Sequence, residues 1–484
     1  MDDWALQSAT ALVAGIKSKK FTSRELLEAY LARIARDNAA INAVVAHGAD
    51  RALSQADALD AALARGEIKG PLHGLPITIK DTFETVGLVT TAGAEMYRDH
   101  VGTTNADAVQ RLIAAGAVII GKTNVPYLAG DVQSFNKLFG TTNNPWDITR
   151  TPGGSSGGAA AAVAAGMTAF ELGSDIGGSI RTPAHFCGIY GHKPSYGLIS
   201  SRGHVPGPPG TRAQADLGVM GPLARSAEDL QLLLNILAGP TPQESVAWQL
   251  HLPPPRHTSI ANYRVALWLD DPAFPIDDSM KSVLLRAADD LNKHGVKIDR
   301  HARPAIVLAD AYRCYLSLLL PLLMAGMSDN SFAQFVKGAD SFSLGDTSLD
   351  SMIHRFGAAR HRDWLKANEA RARYRLAMQA FFQDYDVLLM PVTPTPAFPH
   401  DQSPDMLKRV LHVNGEARPY YDNFSWIGLA TLTYLPATVA PVGFANGLPI
   451  GMQIVGPYLE DHTTIKFASL MENLLGGFKP PPLN

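Results

Sequence analysis

The sequence predicts an α/β protein with a large sheet core flanked by helices, and three observations carry that prediction. Hydrophobic residues make up 46% of the 484 positions and charged ones only 18%, so the chain can enclose a sizeable buried core. The 42 glycines and 33 prolines call for many tight turns. Segments of helical and strand periodicity also succeed one another along the chain. The length allows one to three domains.

Taken in order, Thr22-Ser23-Arg24-Glu25 is a capping box, followed at helical spacing by Leu26, Leu27, Tyr30, Leu31 and Ile34. Arg51 to Ala64 reads as a second helix. Pro76 to Asp81 alternates as a short strand that delivers Lys80 to its end. Asn105 is expected to cap a helix carrying Val109, Leu112 and Ile113, and Ala117 to Ile120 reads as a buried strand. Thr141 to Ser156 is polar and turn-rich. A small-residue helix follows at Ala159 to Ala165, then a strand at Met167 to Leu172 that leads into a Gly-Ser-Asp-Ile-Gly-Gly-Ser turn. Proline and glycine cluster at Gly203 to Thr211, Gly239 to Pro242 and Pro253 to Pro255, marking loops and module edges. Arg264 to Leu269 and Val296 to Asp299 read as strands around a helix at Ser279 to Leu291. Ala309 to Met378 is mostly helical, and strand signals return at Val387 to Met390 and Gly451 to Val455.

Net charge is −3, leaving no basic field to recruit nucleic acid or an anionic membrane. Cys187 and Cys314, the only two cysteines, make neither a disulfide framework nor a cysteine zinc cluster. The Met1-Asp2-Asp3 start lacks the positive region of a signal peptide, and the aliphatic run from Leu316 to Met327 is broken by Pro321 and too short to span a bilayer. A cytoplasmic protein is the expectation.

Several motif spellings fail on context. Gly116 to Thr123 fits the P-loop pattern, but its four variable positions form a β-branched strand instead of a phosphate-facing loop. Gly154-Ser155-Ser156-Gly157-Gly158 fits the G-x-S-x-G elbow around Ser156 without the apolar strand that elbow needs. Ser134 and Lys137 make a lone S-x-x-K. His185, Cys187 and His192 lack a zinc-like spacing and read as buried structural residues.

A larger constellation remains. Lys80 ends a strand, Ser155 lies 75 positions later in a glycine-serine loop, and Ser179 another 24 on in a second such loop. An alanine-rich helix joins the two loops. On these residues the chain resembles the amidase signature family, from about residue 20 to 240 and again at Asp384 to Pro391 and Gly447 to Gln453. The resemblance implies the family's large mixed sheet with a helical cap insertion. It also implies a Ser–cis-Ser–Lys triad of Ser179, Ser155 and Lys80, with the cis bond at Gly154-Ser155. Residues 1–240 would form the first part of the core, 241–383 a variable helical cap with a short α/β segment, and 384–484 the rest of the core.

Amide cleavage needs a nucleophile, a proton donor for the departing nitrogen, and donors for the oxyanion. Ser179 would attack while Ser155 relays its proton to a neutral Lys80. A lysine of ordinary pKa, about 10.4, is about a thousandth neutral near pH 7.4, so burial must lower it. Backbone amides of Ile176, Gly177, Gly178 and Ser179 are expected to hold the oxyanion, and Asp175, Arg181 and Ser156 to brace the loops. No cofactor or metal is called for. Tyr127, where many relatives carry an acidic residue, and the Gly207 to Gly210 loop leave the substrate open. They look most like the branch hydrolysing aryl acylamides, nylon-type oligomers and urethanes. The expected partner is a small amide or carbamate, with the protein a monomer or homodimer. The glutaminase-type A subunit of a tRNA-dependent amidotransferase is the alternative enzyme, and a binding module retaining the scaffold is the non-enzyme reading.

Overall fold

The computed structural model describes residues 4–205, 208–343 and 345–483, so Met1–Asp3 and Gly207 lie outside the described residues. Among these, eleven strands form one mixed sheet: β1 (Val44–His47), β2 (Pro76–Lys80), β3 (Val118–Thr123), β4 (Glu171–Asp175), β5 (Tyr190–Lys193), β6 (Val219–Ala224), β7 (Arg264–Leu267), β8 (Lys297–Asp299), β9 (Val387–Met390), β10 (Ala437–Ala445) and β11 (Leu448–Val455). Their order is β1-β3-β2-β4-β6-β5-β10-β11-β9-β7-β8. β2 runs parallel to both β3 and β4, whereas β4–β6, β5–β6 and β10–β11 are antiparallel. β2, β3 and β4 are buried at every position, as in a sheet covered on both faces, and they carry Lys80, Lys122, Glu171 and Asp175 into the interior with them.

The capping box forms as expected: Thr22 accepts from the Glu25 N–H and the Glu25 carboxylate accepts from the Thr22 N–H. Leu26, Leu27, Tyr30 and Ile34 are buried on one face of the helix Ser23–Ile41. Three expectations are corrected. Asn105 does not cap the helix Asp107–Ala114; its Oδ1 accepts from the Val86 N–H at 2.8 Å instead, and Ala106 holds the cap position. The strand expected from Met167 begins only at Glu171, because Thr168 Oγ turns back to the Phe170 carbonyl at 2.9 Å. Pro321 does not break the aliphatic run, since it sits inside the helix Leu308–Met324. Leu316, Leu318, Leu319 and Leu320 are core residues of that helix. Its burial outweighs the one backbone bond that proline removes.

The strands β7 and β8, from the middle of the chain, extend the same sheet by pairing β7 with β9. The helix Leu308–Met324 packs against the helix Ser425–Leu432 and is followed by helices at Asp329–Ser341, Leu349–Gly357 and His361–Asp384. No helix among the described residues is long and apolar enough to cross a membrane.

Candidate active site

Lys80 is the last residue of β2 and is fully buried. Its Nζ donates to Ser155 Oγ at 2.8 Å and to Ser174 Oγ at 2.9 Å. Burial pushes the amine down to about 7, against the opposing pull of Asp175 and Glu171. Glu171, also fully buried, has its carboxyl pushed up to about 7 by the same loss of water. The parallel register that sets Ile79 opposite Leu172 brings Lys80 level with the Gly173–Ser174 end of β4.

Ser155 lies in the loop ahead of the helix Gly157–Ala164, after a cis Gly154–Ser155 bond. A Cβ on Gly154 would stand 2.7 Å from backbone atoms of residues 131–133, so only glycine admits this contact. Ser134 Oγ clamps the loop, donating to the Gly153 carbonyl at 3.0 Å and accepting from the Gly157 N–H at 3.1 Å. Lys137 is exposed and makes no hydrogen bond to Ser134 among the described residues, so the S-x-x-K spelling does not form a pair. Ser156 is buried, and its N–H donates to the Ser179 carbonyl at 3.2 Å, tying the two serine loops together.

Ser179 stands on the turn between β4 and the helix Arg181–Cys187. Its hydroxyl, 6% exposed as a residue, makes no hydrogen bond among the described residues. Asp175 organises that turn. Its Oδ1 accepts from the Gly178 N–H at 3.0 Å, and its Oδ2 from the Ile180 and Arg181 N–H groups at 3.1 and 3.3 Å. Arg181 closes the pair from the other side at 2.9 Å and donates onward to the Ile427 carbonyl, Gln453 and Thr431 at 2.7 Å each. Burial alone would raise the Asp175 carboxyl, but Arg181 and Lys193 hold it below the usual carboxylate range.

Of the four amides expected at the oxyanion, one is already engaged within the turn. Gly178 directs its N–H to Asp175, while those of Ile176, Gly177 and Ser179 have no acceptor among the described residues. Gly178 is still required at φ +86°, where a Cβ would also meet Thr182 Oγ1 at 2.8 Å. Tyr315, on the helix Leu308–Met324, donates its hydroxyl to the Ile176 carbonyl at 2.7 Å. In a trans peptide that carbonyl and the Gly177 N–H point in opposite directions, so fixing one aims the other.

The rejected motifs find structural roles. Lys122 is buried on β3, where it donates to the Phe83 carbonyl and to Thr90. His185 Nδ1 accepts from the Gly451 N–H at 2.7 Å, His192 bonds Asp461 and Thr438, and Cys187 faces the Pro152 carbonyl. Tyr127 is exposed.

Ser174, His204 and Tyr315 gave no signal in the sequence. Ser174 sits inside the second serine loop but acquires meaning only when β4 lies beside β2. His204, whose Nε2 is 3.0 Å from Ser174 Oγ, falls in a segment legible only as a proline-glycine loop. Tyr315 is separated from the turn it holds by more than a hundred residues.

The Amidase family model matches residues 25–465. Among curated relatives, the A subunit of the glutamyl-tRNA(Gln) amidotransferase of Anaeromyxobacter sp. (strain K) is 32% identical, with 97% of this chain and 96% of that one covered. Its counterpart from Prochlorococcus marinus (strain MIT 9313) is 34% identical, with 94% of each covered. Among solved structures, an amidase is 28% identical with a TM-score of 0.77, covering 97% of this chain and 100% of that one. A bacterial aryl acylamidase superposes with a TM-score of 0.81 over 98% and 97% of the two chains, at 24% identity, which speaks to the fold alone.

Proposed function

The chain belongs to the Amidase family, and from that premise we propose that it cleaves the C–N bond of an amide through an acyl intermediate on Ser179. The observation that carries this reading is the buried Lys80 amine, 2.8 Å from Ser155 Oγ and pushed down to about 7. At that value a large share of the amine is neutral near physiological pH and can act as the base.

Ser179 Oγ attacks the carbonyl carbon as its proton passes to Ser155, whose own proton passes to Lys80 Nζ. The amides of Ile176, Gly177 and Ser179 receive the oxyanion. Protonated Lys80 then returns its proton through Ser155 to the leaving nitrogen, and the C–N bond breaks. Water attacks the acyl-serine by the same relay, and the acid departs. We take residues 241–383 as the cap on the substrate side, with Tyr315 as its link to the oxyanion turn.

Replacing Gly177 with valine is expected to cost at least about 100-fold in kcat, the scale of one lost oxyanion donor. A Cβ there would lie 2.9 Å from the Phe424 ring, so the ring or the turn that carries the amide must give way, and the two further methyl groups of valine add to the crowding. Steady-state kinetics on a variant with an unaltered melting temperature checks this, and an unchanged kcat would remove the oxyanion assignment.

Two substrate readings have separate support. The apolar reading, aryl or hydrophobic acylamides and carbamates, rests on Phe424 and Ile427, which stand against Gly177 and Gly178. The second reading, a glutaminase within an amidotransferase complex, rests on the amidotransferase A subunits that match 94–97% of this chain. The relatives favour the second. Glutamine hydrolysis and the solution mass of the natively purified protein decide between them. A glutamine kcat/KM above that for p-nitroacetanilide, with stably bound partner chains, supports the glutaminase; a solitary protein preferring the anilide supports the apolar reading.

A further inference from the structure

Ser174 Oγ sits between two nitrogen groups, Lys80 Nζ at 2.9 Å and His204 Nε2 at 3.0 Å, and those are its only partners among the described residues. The serine carries one hydrogen, and where it points decides what Lys80 can do. His204 is held firmly enough to matter. It bridges Phe83 in antiparallel fashion, its ring meets the Phe83 ring edge-on at 4.9 Å, and the Val205 N–H donates to the Thr82 carbonyl at 2.7 Å. This contact docks the 203–205 segment on the chain directly after Lys80.

Two hydrogen-bond settings exist. If Nε2 carries the proton and donates to Ser174, the serine hydrogen must turn to the lone pair of neutral Lys80. That lone pair is then withdrawn from Ser155. Once Lys80 is protonated, the same hydrogen has no acceptor, a costly state for a buried hydroxyl. If Nε2 is unprotonated and accepts the serine hydrogen, Ser174 Oγ accepts an N–H from Lys80 in either protonation state. The lone pair of neutral Lys80 then faces Ser155 alone.

We propose that His204 is a positioning residue that accepts the Ser174 hydroxyl hydrogen and so reserves the lysine lone pair for Ser155. The proposal rests on Lys80 being the base. Loss of water and the Lys80 charge push the His204 imidazole down to about 3, so one ring nitrogen is unprotonated across the working range, and the hydrogen-bond balance at Ser174 assigns that nitrogen to Nε2. Asp175 and Glu171 are the acidic groups that face Lys80, and the proposal leaves both in place.

The test measures the rate of serine labelling by a fluorophosphonate against pH. Six proteins are compared: the wild type, His204→Phe, His204→Gln, Ser174→Ala, the His204→Phe/Ser174→Ala double variant and Lys80→Met. Phenylalanine keeps the ring contact with Phe83 but accepts nothing, whereas the glutamine amide oxygen reaches about as far as Nε2. His204→Phe is expected to lower the plateau rate about tenfold. Its rising limb should also move to lower pH, because Ser174 then donates to neutral Lys80 and stabilises it. His204→Gln should restore the rate to within about threefold, and adding His204→Phe to Ser174→Ala should cost nothing more. A His204→Phe protein that labels like the wild type overturns the proposal, as does a glutamine variant no better than phenylalanine. A Lys80→Met protein that still labels at the wild-type rate would instead show that the reading of Lys80 as base is at fault.

Discussion

Alanine at position 179 is expected to lower kcat by about 10⁴-fold or more, while the protein keeps its fold and its stability to within about 1 kcal/mol. The Ser179 hydroxyl makes no hydrogen bond among the described residues, so its removal strands no partner there. The turn around it is held by other groups: Asp175 takes three backbone N–H donors, and Arg181 locks Asp175 from the far side. The free amides of Ile176, Gly177 and Ser179 persist in the variant, so substrate binding and part of the oxyanion stabilisation should remain. Removal of the nucleophile takes away only the covalent route. The check is kcat and KM on an amide turned over by the wild type, with a thermal melt beside them. A loss of less than tenfold would mean that another group attacks.

Lys80→Met carries the second large effect, and it acts on activity and stability in opposite directions. Without a base at the end of the relay, the rate should fall by about 10³-fold or more. In the wild type the rate should rise with pH as Lys80 loses its proton, reach half its plateau near pH 7, and then level off. That limb stands far below the ordinary lysine range because Lys80 is fully buried at the end of β2. The stability sign follows from the same shift. An unfolded lysine titrates near 10.4 and the folded one near 7, so between these values the unfolded chain binds the extra proton. Wild-type stability therefore rises with pH across that window, by at most roughly 1.4 kcal/mol per pH unit from this residue. Methionine has no such cost to relieve, so the variant should gain on the wild type near pH 7 and lose the advantage towards pH 10. The buried Lys122 and Lys193, pushed down to about 8 and about 7, give slopes of the same sign in both proteins and cancel in the comparison. Denaturant melts at pH 7, 8.5 and 10 measure the difference. A gap that does not narrow with pH would place the folded Lys80 near its ordinary value.

Much of the site was legible because its chemistry is written in contiguous stretches. Both serine loops, the strand that carries Lys80 and the capping box at Thr22 are each decided within a few residues, so local patterning suffices. Lys122 could be recognised as a strand residue for the same reason, since β-branched neighbours on both sides leave no phosphate-binding loop. What the sequence concealed is decided by packing between distant segments. The Gly178 amide looks equivalent to its neighbours until the Asp175 side chain folds back onto it. Ser174 and His204 become a pair only when β4 docks beside β2 and the 203–205 segment crosses Phe83. Asn105 has the composition of a helix cap, yet tertiary contact diverts its side chain to the Val86 N–H. The strand at β4 starts late because a threonine hydroxyl turns the chain first, a competition that propensity cannot rank.

The central claim is that Ser179 is the nucleophile and Lys80 its base. The most direct measurement is to label the protein with a serine-directed fluorophosphonate and locate the adduct by peptide mass spectrometry. The account predicts a single adduct on Ser179, formed faster as pH rises through about 7 and lost in the Lys80→Ala protein. An adduct on Ser156 would contradict it and restore the elbow reading of the first serine loop. No adduct in folded protein would also contradict it, and would leave the scaffold to a binding role or to activation by partner chains.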